Sequence, residues 1–295
     1  MITVMGATGH TGKQISETLL HTGERVRALG RSESKLAELR RSGAETLTGD
    51  LTDATFLTNA FRGADSVYTL LPTSPLSTDY RAEQDRQGEA IMKAIRESGV
   101  RYIVALSSLG ADQSEGTGLI EGLHAQEERL KRLEGKNVLL LRPVSFFENF
   151  YTSLSIIKQA GINADSVAAD LAVPMIATRD IADVAAKALK ARNWNGVVVR
   201  ELLGPRDLTF TEATRILGDH IGKPNLQYVQ SSYDDMANAL AQAGLSQSFA
   251  RQYVDMTRAF NEGTLKPPKR TPENTTPTRF EDFAKEFAQA YNAAA

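Results

Sequence analysis

The chain has no cysteine. Disulfides, thiolate nucleophiles and cysteine-ligated metals are excluded with it. Histidine is scarce: His10, His21, His124 and His220 are the whole set, and no two stand at metal-ligand spacing, so no metal site is expected. Net charge is also small. The 34 Lys and Arg against 36 Asp and Glu leave −2, which gives no general basic surface for nucleic acid or an anionic membrane, and neither is expected as a partner. No apolar run nears the roughly 20 residues that a membrane-spanning helix needs. The first residues read as a strand, Ile2-Thr3-Val4-Met5, and not as a charged segment followed by an apolar one, so no leader is expected. Together these absences fit a cytoplasmic protein.

What is present is a rhythm. Short apolar runs at Ile2–Met5, Arg25–Leu29, Glu45–Thr48, Ser66–Leu71, Tyr102–Leu106 and Val138–Leu141 alternate with helical stretches near 11–22, 33–42, 53–62, 79–98 and 120–134. Glycines at 23, 43, 63 and 99 stand where those helices should stop, and Ser32 and Thr52 or Asp53 where they should start. Such alternation implies a mostly parallel sheet with helices on both faces, a doubly wound Rossmann-type α/β domain over 1–150. Its ligand crevice lies at the carboxyl ends of the strands.

The pattern changes after residue 150. Tyr151–Gly161 reads as a helix, Arg179–Arg192 as a strongly amphipathic one, and Gly196–Leu203 as a strand. Segment 178–204 is expected to return to the sheet. Thr211–Gly222 and Tyr233–Asn261 are helical, the second broken near Gly244. Lys266–Arg279 holds four prolines and reads as an extended loop, whose Lys266, Lys269 and Arg270 are either solvated or a docking patch. A last helix over Arg279–Asn292 turns Phe280, Phe283 and Phe287 inward. Residues 151–295 are thus expected to form a smaller, mainly helical lobe for substrate or partner.

Gly6-Ala7-Thr8-Gly9-His10-Thr11-Gly12 follows the first run and opens the first helix. Three glycines at this spacing allow a sharp turn, close approach of a pyrophosphate to backbone N–H groups, and tight helix–sheet packing. Gly6, Thr8, Gly9, His10, Thr11 and Gly12 are the candidate phosphate contacts. The end of the second run chooses between dinucleotides. NAD sites usually carry an acid there, but this chain reads Leu29-Gly30-Arg31-Ser32. A guanidinium can hold the extra 2′-phosphate of NADP with paired charge-assisted hydrogen bonds, and Lys35 stands one turn on. NADP(H) is therefore expected over NAD(H), the competing reading being a solvated Arg31. Asp50 and Leu51 are expected near the adenine, and Leu71, Pro72 and Thr73 along the ribose and nicotinamide. Ser108, Pro143 and Val144 complete the candidate cofactor contacts.

These segments together resemble one group. The glycine loop, Gly30-Arg31-Ser32, Gly49-Asp50-Leu51, Leu141-Arg142-Pro143 followed by Phe146-Phe147-Glu148-Asn149-Phe150, Thr178-Arg179-Asp180-Ile181-Ala182-Asp183-Val184 and Thr276-Pro277-Thr278-Arg279-Phe280-Glu281-Asp282-Phe283 are similar to the NmrA-like branch of the atypical short-chain dehydrogenase/reductases. The resemblance implies NADP(H) in a cleft between a Rossmann domain and a small lobe. It also implies a choice among quinone and azo-dye reductases, reductases of other conjugated compounds, and regulators that bind the dinucleotide without turnover.

Standard short-chain reductases place Tyr-x-x-x-Lys after the fifth strand, the lysine lowering the tyrosine pKa. None of the eight tyrosines here has lysine four residues on; His124 and Glu128 take those places. Sugar-nucleotide epimerases and dehydratases, which rely on that pair, are disfavoured. Hydride transfer to a flat, apolar, conjugated small molecule such as a quinone needs mainly positioning, with water or His124 supplying the proton. His124 and Ser107 are the catalytic candidates, His124 alternatively a surface residue bonded to Glu128. Phe146, Phe147, Asn149 and Tyr151 are candidate walls for that substrate, the alternative being core packing. Two readings stand side by side: an NADPH-dependent reductase of a conjugated small molecule, and a non-catalytic NADP(H) sensor acting through a protein partner. An oligomer fits either.

Overall fold

In the computed structural model, which describes residues 1–293, the alternation becomes a single parallel sheet. Strands β1 (Ile2–Val4), β2 (Val26–Gly30), β3 (Glu45–Thr48), β4 (Ser66–Thr69), β5 (Tyr102–Leu106) and β6 (Asn137–Pro143) alternate with helices α1 (His10–His21), α2 (Glu33–Arg41), α3 (Ala54–Phe61), α4 (Tyr80–Ser98) and α5 (Glu121–Lys131). There follow β7 (Ser145–Phe146), α6 (Leu154–Ala160), β8 (Ile162–Asp165), β9 (Val173–Ile176), α7 (Thr178–Ala191) and β10 (Val197–Leu202). The chain ends with β11 (Asp207–Leu208), α8 (Phe210–His220), β12 (Gln227–Gln230), α9 (Tyr233–Gln242), α10 (Gln247–Asn261) and α11 (Phe280–Ala293).

The main sheet runs β10-β6-β5-β4-β1-β2-β3, all pairs parallel. Its order reverses between β1 and β4, which opens a crevice beyond their carboxyl ends. Strand residues alternate between two cores. Val4, Val104, Leu139 and Leu141 face α1, α2 and α7. Met5, Val67, Ile103, Val138 and Leu140 face α3, α4 and α5. Strand β10 pairs with β6 in register Val197↔Val138, so this segment, distant in sequence, is the edge of the same sheet.

The helix boundaries follow from local chemistry. Asp53, not Thr52, caps α3, its carboxylate accepting from the N–H groups of Thr55 and Phe56 at 2.8 and 3.3 Å. Ser32 precedes α2 without a side-chain cap; its hydroxyl bonds Ser34 instead. Gly99 closes α4 at φ +81°, a conformation that costs any other residue a Cβ clash.

The second half is less helical than its composition suggests. The expected helix over Tyr151–Gly161 is a 3-10 stretch, Phe147–Ser153, followed by the short α6. Two small sheets, β11-β9-β7 and β12-β8, are built from strands of two to four residues. Such strands are too short to display a period of two, so their pairing depends on what packs around them. A third core gathers Phe147, Phe150, Met175, Leu217, Phe280, Phe283 and Phe287. It seats α11 beside α8 and the 3-10 stretch. Among the described residues, no helix is long and apolar enough to cross a membrane.

Candidate functional site

The carboxyl ends of β1, β2 and β4 meet at the glycine loop. Gly6 turns the chain at φ +63°. A Cβ at Gly12 would lie 2.3 Å from the Gly6 carbonyl oxygen, so only glycine lets α1 start this close to β1. Gly9 differs: among the described residues outside its chain neighbours, a Cβ there would meet only the Gly6 oxygen, at 3.4 Å, which leaves open space in front of it. Gly9 is also the N-cap of α1, with no side-chain cap and no acid in the first turn. The first N–H groups of α1 are left without helical partners and face an open space, the donor set that suits a phosphate.

Side chains around the loop are held from behind. Thr11 is buried, and its hydroxyl accepts a 3.0 Å hydrogen bond from the fully buried Tyr68 on β4. Burial raises the Tyr68 pKa, so this phenol stays protonated and locks β4 to α1. Thr11 takes this bond on its hydroxyl oxygen, which leaves its own O–H and its backbone N–H as donors. Thr8 and His10 are exposed at the mouth.

At the end of β2, Arg31 and Lys35 are exposed, and among the described residues neither makes an ion pair or a side-chain hydrogen bond. The neighbouring Lys13 is by contrast bonded to Glu38 at 2.8 Å. Asp50 is exposed but already accepts from the Thr52 N–H at 2.8 Å. Leu71 and Pro72 are half-buried and Thr73 exposed. Three candidates are buried. Leu51 is 5% exposed in the core under α3. The Pro143 carbonyl accepts the Leu109 N–H at 2.9 Å and the Val144 N–H goes to the Leu202 carbonyl at 3.2 Å.

Ser107 is buried beside a carboxylate. Its hydroxyl donates to the buried Glu127 at 2.6 Å, and Glu127 accepts two further bonds from Arg142 at 2.8 and 2.6 Å. In this structure the Ser107 proton is directed to that carboxylate. Ser108 is half-buried, with its hydroxyl on the Leu109 carbonyl at 3.0 Å. His124, half-buried, lies with Nδ1 2.9 Å from the Ala111 carbonyl, not on Glu128. Nδ1 must then carry the hydrogen, and Nε2 has no partner among the described residues. Glu128 instead accepts from Lys131 at 2.8 Å, and that bond is what lowers its pKa most among its partners.

The aromatic run divides. Phe147 is 1% exposed and packs edge-on against Phe280, so it is a core residue with no surface for a substrate. Phe146 is half-buried and Asn149 exposed. Tyr151 is stacked between His10 of the glycine loop, 6.0 Å away, and Phe287 of α11, 5.9 Å away. Sequence reasoning missed Glu148, the one charge in this run. Its carboxylate accepts the Thr178 N–H at 3.0 and 3.1 Å, capping α7, and burial raises its pKa despite that bond and the nearby His10. It also missed Glu127 and Arg142; an arginine inside an otherwise apolar core strand was the available signal. Among the described residues no group of three or more acidic or histidine side chains is arranged to hold a metal ion.

Comparison with known proteins agrees with this architecture. A profile described as the NmrA-like family matches residues 1–284. The chain is 28% identical over 294 residues to a (4-alkanoyl-5-oxo-2,5-dihydrofuran-3-yl)methyl phosphate reductase of Streptomyces griseus, covering 99% of each chain. It is 26% identical over 297 residues to an NAD(P)H azoreductase of Xenophilus azovorans, covering 100% of each. In structure it resembles an NADPH-dependent quinone oxidoreductase of Escherichia coli solved with NADPH. The TM-score is 0.80 at 24% identity, over 97% of this chain and 99% of the other, a likeness of fold.

Proposed function

Because the chain belongs to the NmrA-like family, we propose that it is an NADPH-dependent reductase of quinone-like or other conjugated small molecules, working without a Tyr–Lys pair. The observation that carries this is the uncapped start of α1, whose free N–H groups face open space at Gly9 while two unpaired cations, Arg31 and Lys35, stand at the end of β2. The first suits a pyrophosphate and the second a 2′-phosphate. The reading is supported by relatives named for azo compounds and for a dihydrofuranone phosphate, whose ring double bond is conjugated to its carbonyls. Residues 1–150 with 178–204 would hold the dinucleotide, and the rest of 151–295 would cover it.

When bound, NADPH supplies a hydride to an acceptor that spreads the incoming charge over its own carbonyls. One further proton completes a quinol and NADP⁺ remains. The chain's part is to position the acceptor and exclude competing geometries. With Nδ1–H on a carbonyl, His124 offers Nε2 as an acceptor and can deliver a proton only after taking one from solvent.

Turnover is tested by NADPH oxidation with a panel of quinones and azo dyes, beside dinucleotide binding without acceptor. Arg31→Glu should weaken NADPH about a hundredfold and NADH far less; equal losses would dismiss the 2′-phosphate contact. His124→Ala with unchanged turnover would take the histidine out of the proton path. Tight NADPH binding with no oxidation by any acceptor would favour the sensor reading.

A further inference from the structure

Two cavities lie beyond the carboxyl end of β5, on the segment that carries the His124 hydrogen bond. One, of about 260 Å³, is walled by Leu109, Leu171, Val173, Pro174, Phe260 and Leu265. The other, of about 450 Å³, is bordered by Asp112, Gln113, Glu262 and Lys266. They share Gly263 and Lys266, so the apolar cavity opens beside a polar mouth.

Segment 109–113 is fixed at several points. Gly110 takes φ +86°, and a Cβ there would strike the Leu265 side chain at 2.3 Å. The Ala111 carbonyl is held by His124, and Asp112 lies 3.6 Å from Arg142, which the buried Glu127 anchors. Leu109, the residue after Ser108, is the wall nearest the sheet. The opposite walls come from 171–174 and from 260–267, on either side of the long gap in sequence. A ligand reaching from the end of β5 into this cavity leaves water for aliphatic side chains. Its polar parts have Gln113, Glu262 and Lys266 at the mouth.

We propose that the 260 Å³ cavity between Leu109, Leu171, Val173 and Leu265 holds an aliphatic tail on the substrate, its conjugated head remaining at the carboxyl end of β5. The substrate is thus an amphipathic conjugated molecule, not a bare ring. The proposal rests on the reductase reading of the same crevice.

The test uses the full chain and 1,4-benzoquinones bearing methyl, butyl, hexyl or decyl chains. With NADPH saturating, KM should fall about fourfold per added methylene until the cavity is full, at nearly constant kcat. Ala172→Trp, at an exposed position on the cavity wall, should flatten the series while leaving NADPH affinity unchanged. Leu171→Ala, which enlarges the same wall, should extend the gain to longer chains. Calorimetry of the same quinones on the NADP⁺ complex runs the series without turnover. Turnover with no chain-length dependence overturns the tail site and leaves the reductase standing. Graded binding without turnover supports the tail site and sinks the reductase. No dependence in either assay overturns the proposal.

Discussion

Glu148 shows how one side chain can link several parts of the site. It sits among rings, accepts a backbone N–H of α7 and lies near His10. Burial, the largest influence, holds its pKa above the ordinary value. A carboxyl in that condition binds its proton more tightly folded than unfolded. The folded state therefore loses stability as pH rises from the unfolded carboxyl value, about 4.3, through the raised folded one, and levels off above it. Glu148→Gln keeps the shape and an acceptor for Thr178 but cannot ionise. Thermal melts from about pH 4 to pH 7 should show the variant gaining on the parent as pH rises. Asp165, also held up by burial, retains part of the slope in both proteins. Parallel curves would mean that Glu148 titrates as it does unfolded. Ser107 teaches the opposite lesson at the same scale. A serine after the fifth strand invites a catalytic reading, and only the position of Glu127 shows that its proton is directed to a carboxylate.

The glycine loop is an element-scale device, legible because seven consecutive residues make it. Its requirement is steric. A methyl at position 12 would meet the Gly6 carbonyl at 2.3 Å and the Met5 carbonyl at 2.9 Å, both backbone atoms that cannot swing aside. Gly12→Ala should push α1 away from β1 and misplace its N–H donors by a fraction of an ångström or more. The expected result is a loss of about a hundredfold in kcat/KM for NADPH oxidation with circular dichroism retained. Parental kinetics would show that this junction does not hold the dinucleotide. The short strands of the second half were not legible in the same way. Ile162–Asp165 and Gln227–Gln230 pair in parallel although neither carries a strand signature. Ile162–Asp165 is mostly half-buried and Gln227–Gln230 largely exposed, so the pair rests on its parallel backbone ladder, which leaves no local side-chain pattern to read.

At the scale of the molecule, the tail closes on the beginning. Helix α11 puts Phe280, Phe283 and Phe287 into the third core, and Phe287 supports Tyr151, which stacks on His10. The Thr278 hydroxyl and N–H both bond Asp180 of α7, at 2.6 and 3.0 Å, and Arg179 reaches Glu286 at 2.8 Å. Phe283→Ala should cost about 3–5 kcal/mol in denaturant unfolding, with the slope unchanged. Since Phe283 also packs edge-on against Tyr151, NADPH affinity should fall in the same variant. Lost stability with unchanged affinity would separate the tail from the phosphate loop.

The sequence by itself determined the doubly wound sheet, the places of its main helices, the glycine loop and the want of a Tyr–Lys pair. Each of these is written in adjacent residues or in a regular period, and local sterics and burial suffice to express it. Tertiary structure alone decided that Ser107 serves Glu127 and Arg142, that Phe147 is core while Tyr151 leans on His10, and that 109–113 meets 260–267 around a cavity. These pairings join residues far apart in the chain. What selects them is the competition for buried volume and for hydrogen-bond partners in the closed fold, and no stretch of sequence records that competition alone.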